Sequence, residues 1–289
     1  MRNRNPLRFD PTRTTTLRAR LVAEMSRRFR QLRKDLHEFL VVLDALDLGE
    51  EPALVFHVSP REFRFNTDPQ KLEAFNDWFA KQVALRVFAV PAGTPADRPW
   101  LAEYVESAYR RGLVNAFIAS RAADTTGESE ASRTSRDVFL REAFGTTESV
   151  DKVRLLYLRA FEDLRGITAE MGSAMSRILS QGLIDGKGPL QLMREMSRSI
   201  QSLTRSRAFM LARTEIIRSH AEGQLNAFRR LGISELGLRA EWATAGDGLV
   251  CPRCEQMEGR VFAVAAASGM IPLHPNCRCS WIPHVAGTG

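Results

Sequence analysis

The 289-residue sequence is short of three things, and the first two shortages each exclude a class of protein. Long apolar runs are missing. The longest, such as Phe39 to Leu43 and Val261 to Ala267, fall far below the ~18 residues a membrane-spanning helix needs, so no span is expected. No apolar segment follows the basic start MRNRNPLRFDPTR, so a secretory leader is not expected and the cytoplasm is the expected place of synthesis. Cysteine is scarce, and Cys251, Cys254, Cys277 and Cys279 all fall within the last 39 positions. A disulfide framework would spread its cysteines through the chain, so that class is excluded as well. Lysine is scarce too: with only five lysines, arginine supplies nearly all of the 41 basic residues.

What is present reads as globular, at 44% hydrophobic and 26% charged, with a formal charge of +7. That charge is uneven. Residues 1–34 hold eleven basic residues against Asp10 and Glu24, and the remainder of the chain is slightly acidic. Leu17, Leu21, Met25, Phe29, Leu32, Leu36, Leu40 and Leu43 recur at steps of three and four, which predicts a helix from about Thr16 to Leu48. Arg18, Arg20, Arg27, Arg28, Arg30 and Arg33 lie mostly off that stripe, as a solvated face or as contacts to phosphate or another acidic partner. A weak strand or irregular segment is expected over Val55 to Phe65. A helix follows over Pro69 to Val90, with Asp68 as N-cap and Leu72, Phe75, Trp78, Phe79 and Val83 facing a core.

After PAGTPADRP a further helix is expected over Trp100 to Arg121. Ala122 to Arg136 lacks any aromatic or large aliphatic residue and predicts an exposed loop. Helices are expected at about Val150 to Arg165, Ile167 to Gln181, Pro189 to Ser202 and Arg205 to Leu231, the last closed by Gly232. GLIDGKGP lacks the spacing of a phosphate loop and reads as a turn. In LRAEWAT, Leu238, Ala240 and Trp242 alternate as in a strand. The fold class is therefore α+β, mainly helical and ending in a small β-rich unit. Its expected organisation is a basic-armed helical region 1–121, a linker 122–148 and a domain 149–289.

The chemistry concentrates in DGLVCPRC (Asp247 to Cys254) and HPNCRC (His274 to Cys279). A Cys-x-x-Cys turn presents two thiolates to one ion, and zinc takes four sulfur or nitrogen donors. His274, Cys277 and Cys279 offer three donors for the two remaining places, and spacing alone does not choose among them. A structural zinc is the leading expectation, because no open coordination position or general base is evident. A redox pair and unligated structural cysteines are the alternatives. Asp247, Glu255 and Glu258 are the carboxylates within reach of a base role, and surface carboxylates are the plainer reading. Along Ala212 to Phe228 a polar row reads either as an active site or as a buried brace. Arg213, Ile217, Gln224 and Phe228 fall near one another, and Glu215, Ser219 and Glu222 share another side. His37, His57, His220 and His284 read as structural or exposed histidines.

Taken together, ARTE (Ala212 to Glu215), Asn226, Gly232, Trp242, Asp247, CPRC, MEGRVF (Met257 to Phe262, with Gly259) and HPNCRC resemble the Mu F-like head morphogenesis family of tailed bacteriophages. The likeness runs from about Leu155 to Pro283. It implies a minor head protein of the virion, in the head interior or at the portal vertex, and it does not imply an enzyme. The implied partners are portal and capsid or scaffold proteins, with double-stranded DNA and its packaging or delivery in view. Arg213, Thr214, Glu215, Trp242, Asp247 and Gly259 are motif positions in this likeness. The competing function is a zinc-associated nuclease or transferase using Arg213, Glu215, Glu258 and His274.

Overall fold

The computed structural model describes residues 10–49, 67–95, 98–124, 127, 129–231 and 238–285. The segment Val55 to Phe65 with His57, the arm residues Arg2, Arg4 and Arg8, and the C-cap position Gly232 lie outside the described residues.

The apolar stripe near the N-terminus forms α1 (Thr15–His37), whose Leu17, Leu21, Met25, Phe29, Leu32 and Leu36 are all buried. Asp10 caps it, accepting hydrogen bonds from the Thr15 backbone N–H and from the Thr12 hydroxyl. The helix ends sooner than its stripe predicts. It widens into a π-helical turn at Glu38–Val42, which adds a residue to the repeat, and the chain breaks at Asp44 and Asp47, both at positive φ. Leu43 is therefore 65% exposed, while Leu46 takes the buried place.

The second helix, α2 (Asp68–Gln82), also runs into a π-helical segment, Val83–Phe88. Its N-cap is Thr67, in extended backbone, rather than Asp68, because Pro69 fits the first turn where its missing N–H costs nothing. Phe75, Phe79, Val83 and Val87 are buried, and Trp78 stacks on Phe39 at 4.2 Å between ring centroids.

Helix α3 (Ala102–Ala123) is followed by α4 (Glu130–Arg133) and α5 (Arg136–Phe144). The exposed loop expected over Ala122 to Arg136 thus contains a helical turn capped by Ser129, and its Ala131 is fully buried. A small residue can bury completely without leaving an apolar signature. Helix α6 (Thr147–Ile184) replaces the two helices expected to part near Gly166. A glycine inside a helix costs only ~1 kcal/mol, and the buried row Leu156, Ala160, Leu164, Ile167, Met171, Met175 continues through it. Helix α7 (Pro189–Leu203), a π-helical turn Thr204–Ala208 and α8 (Phe209–Arg230) complete the helical part.

Strand β1 (Leu238–Ala243) is central in an antiparallel sheet of order β2-β1-β3, flanked by β2 (Val261–Phe262) and β3 (Ser280–Val285). Trp242 pairs with Trp281 across the strands, and their buried rings meet edge to face at 5.2 Å. Two short helices, α9 (Pro252–Glu255) and α10 (Val264–Ala267), lie in the connections.

The chain divides into two compact units that interleave in sequence: Met1–Leu21 with Leu101–Phe161 and Met210–Gly289, and Val22–Trp100 with Glu162–Phe209. Within the first, α3 and α8 meet at two glycines. A Cβ on Gly112 would lie 2.0 Å from the His220 carbonyl oxygen, and one on Gly223 would lie 2.1 Å from that of Tyr109. Only hydrogen fits at either position. Within the second, Arg28 is buried, and its guanidinium donates to the carbonyls of Arg86, Val87 and Ala89 while lying 4.4 Å from the Trp100 ring centroid. It satisfies the carbonyls at the end of the segment that prolongs α2.

Candidate metal centre and its brace

The five sulfur and imidazole donors are brought to one place by three local devices. Cys251 opens α9, where its sulfur accepts from the Cys254 N–H at 3.4 Å and Pro252 sets the first turn, so Cys254 returns beside it. Asn276 at φ 65° turns the HPNC segment back, and the Cys277 N–H donates to the His274 carbonyl. Cys279 immediately precedes β3, whose pairing with β1 fixes its height.

Cys251, Cys254 and His274 form one cluster and Cys254, Cys277 and Cys279 a second, with the donor atoms of each within 4.8 Å of one another. Cys254 belongs to both. The His274 Nε2 is 3.1 Å from the sulfurs of Cys251 and Cys254, and Cys254 and Cys277 sulfurs are 3.9 Å apart. Nδ1 of the imidazole lies 2.7 Å from the Pro275 carbonyl, which can only accept, so Nδ1 carries a proton and Nε2 faces the sulfurs. A tetrahedral zinc with Zn–S of ~2.3 Å and Zn–N of ~2.0 Å has edges of ~3.8 Å between sulfurs and ~3.6 Å between sulfur and nitrogen. The donor types suit such an ion, and the three donors of either cluster lie close enough to share one.

The thiols are unequal. The Cys254 N–H holds the Cys251 thiol below its usual range. Burial and the neighbouring Cys277 push Cys254 up to about 12. A hydrogen bond from Cys279 brings Cys277 down to about 5, and the same bond, with burial, pushes Cys279 up.

Two of the three carboxylates near the centre are engaged elsewhere. Asp247 accepts a two-pronged contact from Arg278, which holds its carboxyl below the usual range, and also accepts from the Leu249 N–H. Glu258 accepts from the Thr244 N–H at 2.6 Å. Glu255 is exposed. Gly259, at φ 75°, makes the turn that leads into β2.

The polar row of α8 fastens this module to the helix. Gln224 is buried and grips β3 three times: its Nε2 donates to the Trp281 carbonyl at 2.8 Å, and its Oε1 accepts from the Trp281 N–H and the Ser280 hydroxyl. Glu222 accepts from the Gly269 N–H and the Ser268 hydroxyl and pairs with Lys152 at 2.8 Å. Thr214, in the ARTE sequence, accepts from the Asn276 N–H. Asn226 donates to Tyr109 and Ser149. Glu215 is buried and pairs with Arg218 and, at longer range, Arg159. His220 is fully buried, accepts from the Asn115 amide through Nε2, and is held neutral by burial, its pKa brought down to about 3. This row works as a brace.

Glu222 couples the brace to pH. Burial raises its pKa, but Lys152, Gly269 and Ser268 outweigh burial and hold the carboxyl below 4.5. A depressed carboxylate contributes stability that is present above its unfolded value and lost as pH falls through the folded one. Glu222→Gln is therefore expected to lower the urea midpoint at pH 7 and to flatten the loss of stability below pH 4.5.

Of the arginines that sequence placed off the α1 stripe, Arg18 pairs with Asp10, Arg27 with Glu24, and Arg28 is buried as described. Arg20 and Arg30 are exposed, and Arg33 is half-buried. The close approach at Gly112 and Gly223 is not legible in the sequence, and no local pattern announces it.

No helix among the described residues is long and apolar enough to cross a membrane. No curated protein and no solved structure matches the chain. The family model described as phage Mu protein F like protein matches residues 174–282, a stretch that holds α7, α8 and all five sulfur and imidazole donors, and over it the chain is similar to that family.

Proposed function

We propose that the chain is a non-enzymatic minor head protein of a tailed bacteriophage, built into the virion at or near the portal, with a C-terminal module closed by a structural zinc. The observation that carries this reading is the family match over 174–282 together with a donor cluster whose neighbours Asp247 and Glu258 are committed to structural hydrogen bonds. A hydrolytic site needs a general base beside an open metal position. Asp247 and Glu258 are occupied in other roles, and His220 is buried and neutral.

Cys251, Cys254, His274 and Cys277 are the proposed ligands, because short donor contacts run from His274 to Cys251 and Cys254 and from Cys254 to Cys277. Cys279 then serves as the thiol that hydrogen-bonds the Cys277 sulfur from outside the coordination sphere. Zinc would hold the turn after β1 to the segment before β3, a module too small to be fixed by its apolar residues alone. The partners proposed are portal and capsid or scaffold proteins, with double-stranded DNA reached through the outward arginines of α1.

Mass spectrometry of purified phage heads tests the reading. The chain is expected in the particles at few copies and in association with the portal. Its absence from complete heads, or cleavage of DNA by the pure protein with Mg²⁺ or Zn²⁺ that His274→Ala abolishes while metal and fold are retained, would replace it with the enzyme reading.

A further inference from the structure

Two confluent surface depressions of about 250 and 420 Å³ lie within the unit formed by Val22–Trp100 and Glu162–Phe209, and both are lined by Gln201 and Arg205. The first is walled on the α1 side by Ser26, Arg30 and Arg33 and on the other by Thr204 and Arg205, over a floor that includes Phe29 and Ile200. The second continues along α7 past Arg198 and Ser202. Four guanidinium groups thus border one groove, and no carboxylate lines it. Among the described residues, none of Arg30, Arg33, Arg198 and Arg205 has an ion-pair partner, in contrast to Arg27 and Arg28, which share Glu24.

We infer that this groove is a binding site for the phosphate backbone of double-stranded nucleic acid. Uncompensated like charges on facing helices repel, so the arrangement stores a demand for an anion. Guanidinium forks match phosphate oxygens two at a time, and the Gln201 amide and the Ser26 and Ser202 hydroxyls add neutral donors of the kind that position a backbone. Thr204 and Ser206 donate their hydroxyl hydrogens to the carbonyls of Ile200 and Ser202, which leaves the arginines to do the binding.

Two features choose duplex over other polyanions. Arg30 and Arg33 are one helical turn apart and Arg198 and Arg205 two turns, so the charges are set in two rows along the groove, as a backbone with regularly spaced phosphates requires. Single strands are held by stacking on exposed aromatic rings, and the only ring in the groove, Phe29, is 2% exposed.

The inference rests on the head-protein reading only for the presence of DNA. Virion content tests that reading, and a titration tests this one. The full chain is titrated against a fluorescent mixed-sequence 24-base-pair duplex from 50 to 200 mM salt. Four phosphate contacts give a log–log salt slope of about −3.6, and Arg30→Gln with Arg205→Gln is expected to halve the slope and weaken binding at least ~10-fold. Arg141→Gln with Arg177→Gln removes the same charge from exposed positions outside the groove, and is expected to leave the slope within about one unit of wild type. Equal losses in the two double variants, no loss in the groove variant, or competition by poly-glutamate as strong as by duplex at equal charge would overturn the assignment.

Discussion

Gly223→Ala is expected to lower the unfolding free energy by ~3 kcal/mol or more, a large effect for one methyl group. The added carbon would lie 2.1 Å from the Tyr109 oxygen, 2.9 Å from its carbonyl carbon and 3.2 Å from the Leu113 nitrogen, all of them backbone atoms of α3. Backbone cannot rotate aside as a side chain can, so the two helices must part by an ångström or more. Parting them also strips the Asn226 bond to Tyr109, which is buried at 2.6 Å. Gly166 supplies the contrast. It is exposed inside α6, and a methyl group there would meet nothing within 4 Å, so alanine is expected to be neutral or to stabilise by up to ~1 kcal/mol. Urea denaturation of the two variants beside wild type decides the matter. Equal stability of Gly223→Ala and wild type would remove the close approach of α3 and α8.

Metal is the second large lever. Protein purified without chelator is expected to carry about one zinc per chain. Removing it is expected to cost at least ~4 kcal/mol, a fraction of the ~10–16 kcal/mol apparent for the smallest zinc-folded peptides, because here β1, β3 and α8 support the module independently. The cysteines separate into two classes. Cys254→Ser removes the residue common to both donor clusters and is expected to abolish metal binding. Cys279→Ser is expected to retain the ion with weakened affinity, since it takes away a hydrogen bond to Cys277 rather than a ligand. Elemental analysis of the pure variants reads both outcomes. Loss of metal in Cys279→Ser with retention in His274→Ala would exchange those two residues in the ligand set, and absence of metal from wild type would remove the zinc itself.

Sequence exposes those features whose cause is local. The α1 stripe is legible because a 3.6-residue repeat is written into consecutive residues, and β1 because alternation needs only three positions, of which Ala240 and Trp242 are buried. The Cys/His pattern is legible because metal donors are few and their spacing is short. Three kinds of feature stay hidden. The π-helical turn after α1 follows from packing, so the stripe alone extends the helix to Leu48 and turns Leu43 inward, where the structure exposes it. Ala131 buries fully in a stretch whose composition reads as solvent-exposed. Arg28 and Arg30 are two positions apart and look alike, yet one closes the end of a neighbouring helical segment and the other lines a groove with Arg205, far along the chain. Two arginines spaced by two helical turns, Arg198 and Arg205, are the only local hint of that groove.

The seat of α8 on α3 bears on how the family segment can be handled as a piece. The matched residues begin at 174, whereas the helix that receives Gly223 ends at Ala123. A recombinant fragment starting at 174 would carry the donor cluster and the whole of α8, but it would present the Gly223 face to solvent and leave Asn226 without Tyr109 or Ser149. Such a fragment is a sequence module without being a folding module. Limited proteolysis of the intact chain should accordingly release no stable product bounded at that residue, and any transfer of this segment into another chain would have to carry a compatible α3 along with it.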